Sequence, residues 1–314
     1  MKSIPHSTTL AERYPYRAIT WNLRTKKFRF DRLPKLMGIL NVTPDSFSDG
    51  GQFSSTGKGL DVKAVVDRAL QMEADGASIL DIGGESTRPY ADPVSVEEEL
   101  RRVIPIIEAV HEAVHIPLSI DTTKAAVAKE AISAGVEIIN DISGLEADPE
   151  MVPLAVETGV GICAMHMQGT PQTMQDDPQY DDVVLDIFDY LQARYRQLRY
   201  AGIDRSKICL DPGIGFGKTH QHNLDLMAKC DEFHTLGCPI LVGHSRKGFL
   251  AKLLGDKDKD RTLATVGATL TLARLGIQII RVHDVRANQE ALEAFVATGG
   301  IDGVALELPE TPIP

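Results

Sequence analysis

No run of about 18 apolar residues occurs in the sequence, so a conventional bilayer-spanning helix is not expected. The opening residues, MKSIPHSTTLAERYPYR, lack the apolar core of a secretory leader, and a cytoplasmic location is expected. Basic residues are in short supply: 33 Lys and Arg face 44 Asp and Glu, for a net charge of −11. That balance argues against a general nucleic-acid or anionic-membrane surface, because a negative field repels polyanions. Any anionic ligand must then be met by a local basic pocket. Cysteine is scarce too, with four in all. Cys163, Cys209, Cys230 and Cys238 show no CxxC spacing, and the first two lie inside apolar runs where a thiol behaves as a small hydrophobe. A reducing compartment is expected. Low-complexity linkers, a second domain and a repeat of about 20–50 residues are also missing.

What the sequence has is alternation. At 314 residues it exceeds the usual domain but suits one α/β barrel of about 250 residues with extensions. From Leu36 onward, short apolar runs at 36–40, 77–82, 117–121, 137–140, 160–166, 207–211, 239–243 and 278–282 read as strands. Between them lie segments of helical period, among them Asp61 to Ala74, Ser95 to Val114, Asp181 to Tyr200 and Leu263 to Leu275. Ser95 and Glu98 have the spacing of a capping box. Gly76, Gly135, Gly159, Gly202 and Gly276 follow helical runs, where a residue of positive φ commonly ends a helix. Eight such units predict an α/β fold, a (β/α)₈ TIM barrel, with an open doubly wound sheet as the alternative. Residues 16–30 predict a β-hairpin over the barrel's bottom. The expected divisions are an extension over 1–35, a barrel over 36–298 whose last helix covers roughly 286–297, and a docked or frayed tail over 299–314.

In barrel enzymes, catalytic groups come from the C-terminal ends of strands. Here those positions carry Asn41, Asp81, Asp121, Asn140-Asp141, Met165-His166, Asp211, Gly243 and Arg281 to Asp284. One Asp at a strand end is more often the cap of the next helix. A whole rim of polar groups points instead to chemistry. Arg88, Lys247, Arg281 and His283 suit a phosphate or pyrophosphate, whereas Asp121, Asn140 and Asp211 can accept paired N–H bonds from a flat aminoheterocycle. One ligand could span both. GIGFGKT at 213–219 is not a nucleotide P-loop, since Pro212 stands where the first Gly is needed. The pair His220 and His222 lacks partners at ligand spacing and reads as solvated, and His166 is as readily structural as functional. The stretch NVTPDSFSDGG, Asn41 to Gly51, is a long loop of special residues directly after a strand, a pattern of functional loops.

The set MGILNVTPDSFSDGG (37–51), LDIGGESTRP (80–89), SIDTTK (119–124), IINDISG (138–144), MHMQGTPQTMQ (165–175), LDPGIGFGK (210–218), GHSRK (243–247) and IIRVHDV (279–285) resembles the dihydropteroate synthase family of folate biosynthesis. The resemblance runs from Met37 to about Ala287. It implies a (β/α)₈ transferase that joins 6-hydroxymethyl-7,8-dihydropterin pyrophosphate to p-aminobenzoate, releasing pyrophosphate with Mg²⁺. Pterin recognition would then fall to Asp121, Asn140 and Asp211 with Lys247, lined by Ile142, Met165 and Gly243. Asn41, Arg88, Arg281 and His283 would form the pyrophosphate end, with Asn41 as the metal ligand. Phe47, Thr87, Arg88, Pro89, Phe216, Ser245 and Lys247 would form the p-aminobenzoate pocket, where sulfonamides bind in the family. Asp45, Asp121, Asp211 and Lys247 would be catalytic, with NVTPDSFSDGG a lid that brings Asp45 to the developing cation. A homodimer through outer helices is also implied. Pyrophosphate leaves readily once neutralised, and an electron-rich pterin can carry charge on its methylene, so a dissociative displacement is expected. The chain departs from the family at Ser78, at Tyr90 where Gly is common after STRP, and at His244. A cobalamin-dependent pterin methyltransferase domain and a non-catalytic pterin-binding scaffold are the rival readings. The first would not need SRK or RVHDV, and intact Asn41, Asp45, Arg88, Lys247, Arg281 and His283 argue against the second.

Overall fold

The computed structural model describes residues 9–43 and 61–307. The chain opens with a one-turn helix, α1 (Leu10–Arg13), and an antiparallel ribbon of β1 (Thr20–Asn22) and β2 (Lys27–Arg29) that pairs Trp21 with Phe28. Strands and helices then alternate: β3 (Lys35–Asn41), α2 (Val62–Ala74), β4 (Ile79–Gly83), α3 (Val96–Ala113), β5 (Leu118–Asp121), α4 (Ala125–Ser133), β6 (Ile138–Asp141) and α5 (Met151–Thr158). The second half continues with β7 (Gly161–Met165), α6 (Val183–Tyr200), β8 (Ile208–Asp211), α7 (His220–Ala228), β9 (Leu241–Val242), α8 (Gly248–Leu254), α9 (Thr262–Arg274), β10 (Ile279–Val282) and α10 (Val285–Ala297). Parallel pairing runs in the order β8-β7-β6-β5-β4-β3-β10-β9, and a bridge from Leu210 to Ile240 joins the two ends. This is the (β/α)₈ barrel the alternation predicts.

Strands of a parallel barrel are covered on both faces, which is why they read as continuous apolar runs. All five residues of β4, Asp81 included, are buried. The helices carry local start and stop signals. Ser95 caps α3 by accepting from Glu98 N–H, Asp182 caps α6 by accepting from Val184 and Leu185, and Gly159 ends α5 at φ 61°. One strand is shorter than 239–243 predicts. Pro239 has no N–H to give a ladder, and the Ile240 N–H donates to the buried Gln278 side chain at 3.1 Å rather than to a neighbouring strand. A second helix, α8, also follows β9 before α9.

Trp21 is fully buried and packs with Leu23 and Phe30 against Met37, Ile79 and Ile279 of the barrel interior, while its Nε1 donates to Lys207 O at 2.9 Å. The hairpin therefore plugs the bottom. A larger apolar layer lies between the strands and the helix ring. The tail docks on α10 through Leu306 N–H to Ala297 O. Among the described residues, no helix is long and apolar enough to cross a membrane. All four cysteines are free and buried.

Candidate active site

Polar side chains collect where the strands end. Register sets Gly83 beside Asp121, Asp121 beside Asn140 and Met165 beside Asp211. Arg281 reaches across from β10: its Nε donates to Asp81 Oδ2 at 2.6 Å and its Nη2 to Asp121 Oδ2 at 2.8 Å. Asn140 Nδ2 donates to the same Asp81 oxygen at 3.0 Å. Asp81 Oδ1 is buried and has no protein partner. On β8, Asp211 Oδ1 accepts from Gly213 N–H at 2.7 Å.

Burial sets the electrostatics. Asp121 is pushed up to about 7 by desolvation, against the pull of the Arg281 guanidinium. Asp211 rises to about 6 for the same reason, opposed by its bond from Gly213. Lys247 falls to about 7 through burial, with Asp211 working the other way. Burial also disfavours the Arg281 charge, but Asp81 and Asp121 outweigh it and hold that side chain more firmly protonated than usual. Groups with tuned proton affinity in one cleft mark a functional site.

Next to this acidic patch lies a cationic one. His283 is driven down to about 3, first by burial and then by Arg246, Arg281, Arg88 and Lys247 around it. A neutral imidazole among four cations marks a place suited to an anion. Ser245, which the family resemblance puts in the amine pocket, accepts from His283 N–H at 3.2 Å and meets its Nδ1 at 2.9 Å. Arg281, expected at the pyrophosphate end, belongs as much to the carboxylates of the pterin set. Arg246 adopts φ 57° and pairs with Asp284 at 2.8 Å, fixing the SRK turn.

On the third side, Lys247 donates to Ile214 O, and its Nζ stands 4.3 Å from the centre of the Phe216 ring. A β-carbon at Gly215 would meet Lys247 Cδ at 2.6 Å, and one at Gly213 would meet His166 O at 1.9 Å, so both glycines are steric requirements of the turn. Their N–H groups are already used, by Asp211 and by Asn223 Oδ1 at 2.6 Å, so these two donors are not turned to an anion. Thr87, Arg88 and Pro89 sit on the loop after β4. The base of that loop is pinned by Lys124, which bonds Glu85 at 2.5 Å and the fully buried Glu99 at 2.6 Å.

Ile142 and Met165 are buried beyond and at the ends of β6 and β7, and Gly243 leaves room beside Arg281. Asp45 and Phe47, with most of NVTPDSFSDGG, lie outside the described residues. Thr219 caps α7 in a capping box that His222 completes, its Nδ1 accepting from Thr219 N–H, and His166 meets the buried Lys218 Nζ at 3.1 Å. Sequence reasoning placed Asp81 on the rim without a specific task and gave Glu99 and Lys124 no role. The signal available was charge in the interior of an apolar strand and on the inward face of a helix.

Among the described residues, no group of three His, Cys, Asp or Glu forms a metal cage. Magnesium commonly takes one or two protein oxygens and fills its shell with water and phosphate. The glycine at the end of β4 suits that pattern: a β-carbon at Gly83 would lie 3.5 Å from Asn41 Oδ1 and 3.8 Å from Asp121 Oδ2. Two hard oxygens thus face the end of β4, a donor set compatible with a cation that keeps most of its water.

The family described as "Pterin binding enzyme" matches residues 37–283. The dihydropteroate synthase of Escherichia coli K12 is 46% identical over 265 residues, covering 84% of this chain and 92% of the relative. Among solved structures, the Yersinia pestis dihydropteroate synthase in a sulfonamide drug complex gives a TM-score of 0.82 at 43% identity, covering 90% of this chain and 99% of that one. The Burkholderia cenocepacia enzyme complexed with 7,8-dihydropteroate gives 0.78 at 40% identity, covering 90% and 97%.

Proposed function

From the premise that the chain belongs to the pterin-binding enzyme family as a dihydropteroate synthase, we propose that the barrel mouth runs its reaction by dissociative displacement, with charge stabilisation divided among three groups of residues. The reaction condenses 6-hydroxymethyl-7,8-dihydropterin pyrophosphate with p-aminobenzoate to give 7,8-dihydropteroate and pyrophosphate. The observation that carries the reading is the Asp81–Arg281–Asp121 bridge, which ties the carboxylates of the pterin side to the cations of the anion side.

Asp211 and Asn140 bind the amino-pyrimidine edge, which presents parallel N–H donors that a carboxylate and an amide oxygen accept. Met165 and Ile142 line the faces of the ring. Arg281 and Arg88 bind the pyrophosphate and neutralise it as the C–O bond lengthens, with the neutral His283 imidazole beside them as a hydrogen-bonding group. Asp121 and Asp211, held in a desolvated mouth, stabilise the cation spread over the pterin and its methylene. Lys247 and Phe216 orient p-aminobenzoate with Thr87 and Pro89, so that its amine attacks the methylene and then loses a proton. Asn41 would hold Mg²⁺, which when bound lends positive charge to the leaving group. Asp45 and Phe47 are assigned to the lid on their motif alone. A cytoplasmic homodimer completes the proposal, supported by four reduced thiols and by family resemblance.

Pyrophosphate release tests the reading. With both substrates and Mg²⁺, release is expected to match dihydropteroate formation, and chelation with EDTA is expected to lower it at least tenfold in a way that added Mg²⁺ restores. Pterin binding without pyrophosphate release under any condition would overturn it. Full activity in EDTA would remove the metal.

A further inference from the structure

Tyr90 has φ 64°, the left-handed region in which a β-carbon is crowded and glycine is at ease. Glycine is also what the family resemblance leads one to expect there. The side chain is 65% exposed, so burial does not hold it in place. Cross-loop hydrogen bonds do. The phenol O–H donates to Asp176 Oδ1 at 2.9 Å, the Tyr90 N–H donates to Pro171 O at 3.1 Å, and the carbonyl of Ala91 accepts from Gln172 Nε2 at 3.1 Å. Two consecutive residues thus join the loop after β4 to the loop after β7. Gln175 Nε2 extends the connection to Gly215 O at 2.9 Å, on the turn that carries Phe216.

We propose that Tyr90 and Asp176 form a latch that holds the Thr87-Arg88-Pro89 side of the p-aminobenzoate site against the Phe216 side, which makes Tyr90 a positioning residue for the amine. This rests on the assignment of the amine half given above. A glycine turn at position 90 would form without steric cost and keep the backbone bonds to Pro171 and Gln172, but would lose the side-chain bond to Asp176. Tyrosine accepts the crowded backbone and gains a charge-assisted bond that favours the joined arrangement. A site that is competent only part of the time binds its ligand more weakly by that fraction, so the latch acts on amine affinity. Pterin recognition is built on strand ends and does not depend on it, and Arg88 alone among the pyrophosphate groups rides on this loop.

The test is a double-mutant cycle on the full chain with steady-state KM measured for both substrates. Tyr90→Phe and Asp176→Ala are each expected to raise KM for p-aminobenzoate about fivefold, and KM for the pterin pyrophosphate by clearly less. The double variant is expected to be no worse than either single one, because the two changes remove one interaction. Asp176→Asn, whose amide oxygen still accepts from the phenol, is expected to stay close to the parent. Unchanged amine KM in Tyr90→Phe, effects that add in the double variant, or equal rises in both KM values would overturn the latch. Phe216→Ala separates the two layers. If it raises amine KM while Tyr90→Phe does not, the latch alone fails; if neither does, the amine half was misplaced and the latch fails with it.

Discussion

Asp211→Asn is expected to lower kcat/KM on the order of 10³-fold while leaving the protein as stable as before or more so. The asparagine Oδ1 can still accept from Gly213 N–H, so the turn after β8 survives. Its other atom becomes an NH₂ that faces the donors of the pterin edge, replacing an acceptor with a donor. Each hydrogen bond to a charged group is worth about 1.5–3 kcal/mol, and two such losses give a drop of that size. The negative charge opposite the developing cation goes as well. Stability moves the other way. Burial raises the Asp211 pKa from 3.8 to about 6, so the folded state holds a proton that the unfolded state has released between those pH values. The contribution of Asp211 to stability is complete below about 4 and lost as pH rises through about 6. At pH 7 the buried carboxylate is therefore a net cost, which the neutral amide removes. Thermal unfolding and steady-state kinetics on one preparation check both halves. A variant that loses activity because it melts earlier would contradict them.

Arg281→Ala is expected to fail on both counts. Asp81 has a fully buried side chain and already carries one oxygen without a partner, so removing the guanidinium leaves a buried charge uncompensated. Breaking a buried pair from one side costs about 3–5 kcal/mol. Activity is expected to fall on the order of 10²–10³-fold, as when a single donor to a developing oxyanion is lost. The deficit in stability shrinks at lower pH, because Asp121, already raised to about 7, rises further without its partner and its penalty is relieved once protonated. Adding Asp81→Asn to Arg281→Ala is expected to restore much of the urea midpoint without restoring turnover. Equal midpoints for the parent and Arg281→Ala would show that the bridge contributes nothing to the fold.

The barrel was legible in the sequence because each strand is a short apolar run and helices such as α2, α3 and α6 carry their own side-chain caps, signals that are local. β9 is shorter than its apolar run partly for a local reason, Pro239, and partly for one that is not local: the side chain of Gln278, just before the next strand, takes the Ile240 N–H. The site divides in the same way. Asp121, Asn140, Asp211 and Lys247 were readable as polar groups at strand ends, where a barrel puts its chemistry. The pairing of Arg281 with Asp81 and Asp121 was not, since those partners lie 200 and 160 residues away and meet only on barrel closure. Ser245 reads as a neighbour of Lys247 in sequence, yet its hydroxyl belongs to His283. Tyr90 stood out against the family pattern, but its partner Asp176 is fixed by how two loops approach.

The most direct test of the dissociative reading is the secondary isotope effect on kcat/KM when the methylene that bears the pyrophosphate carries deuterium. A normal effect clearly above unity, together with a rate insensitive to the basicity of substituted anilines, is expected if the C–O bond breaks ahead of attack. An effect near unity, with rates that climb with amine basicity, would contradict a mouth built to stabilise a pterin cation.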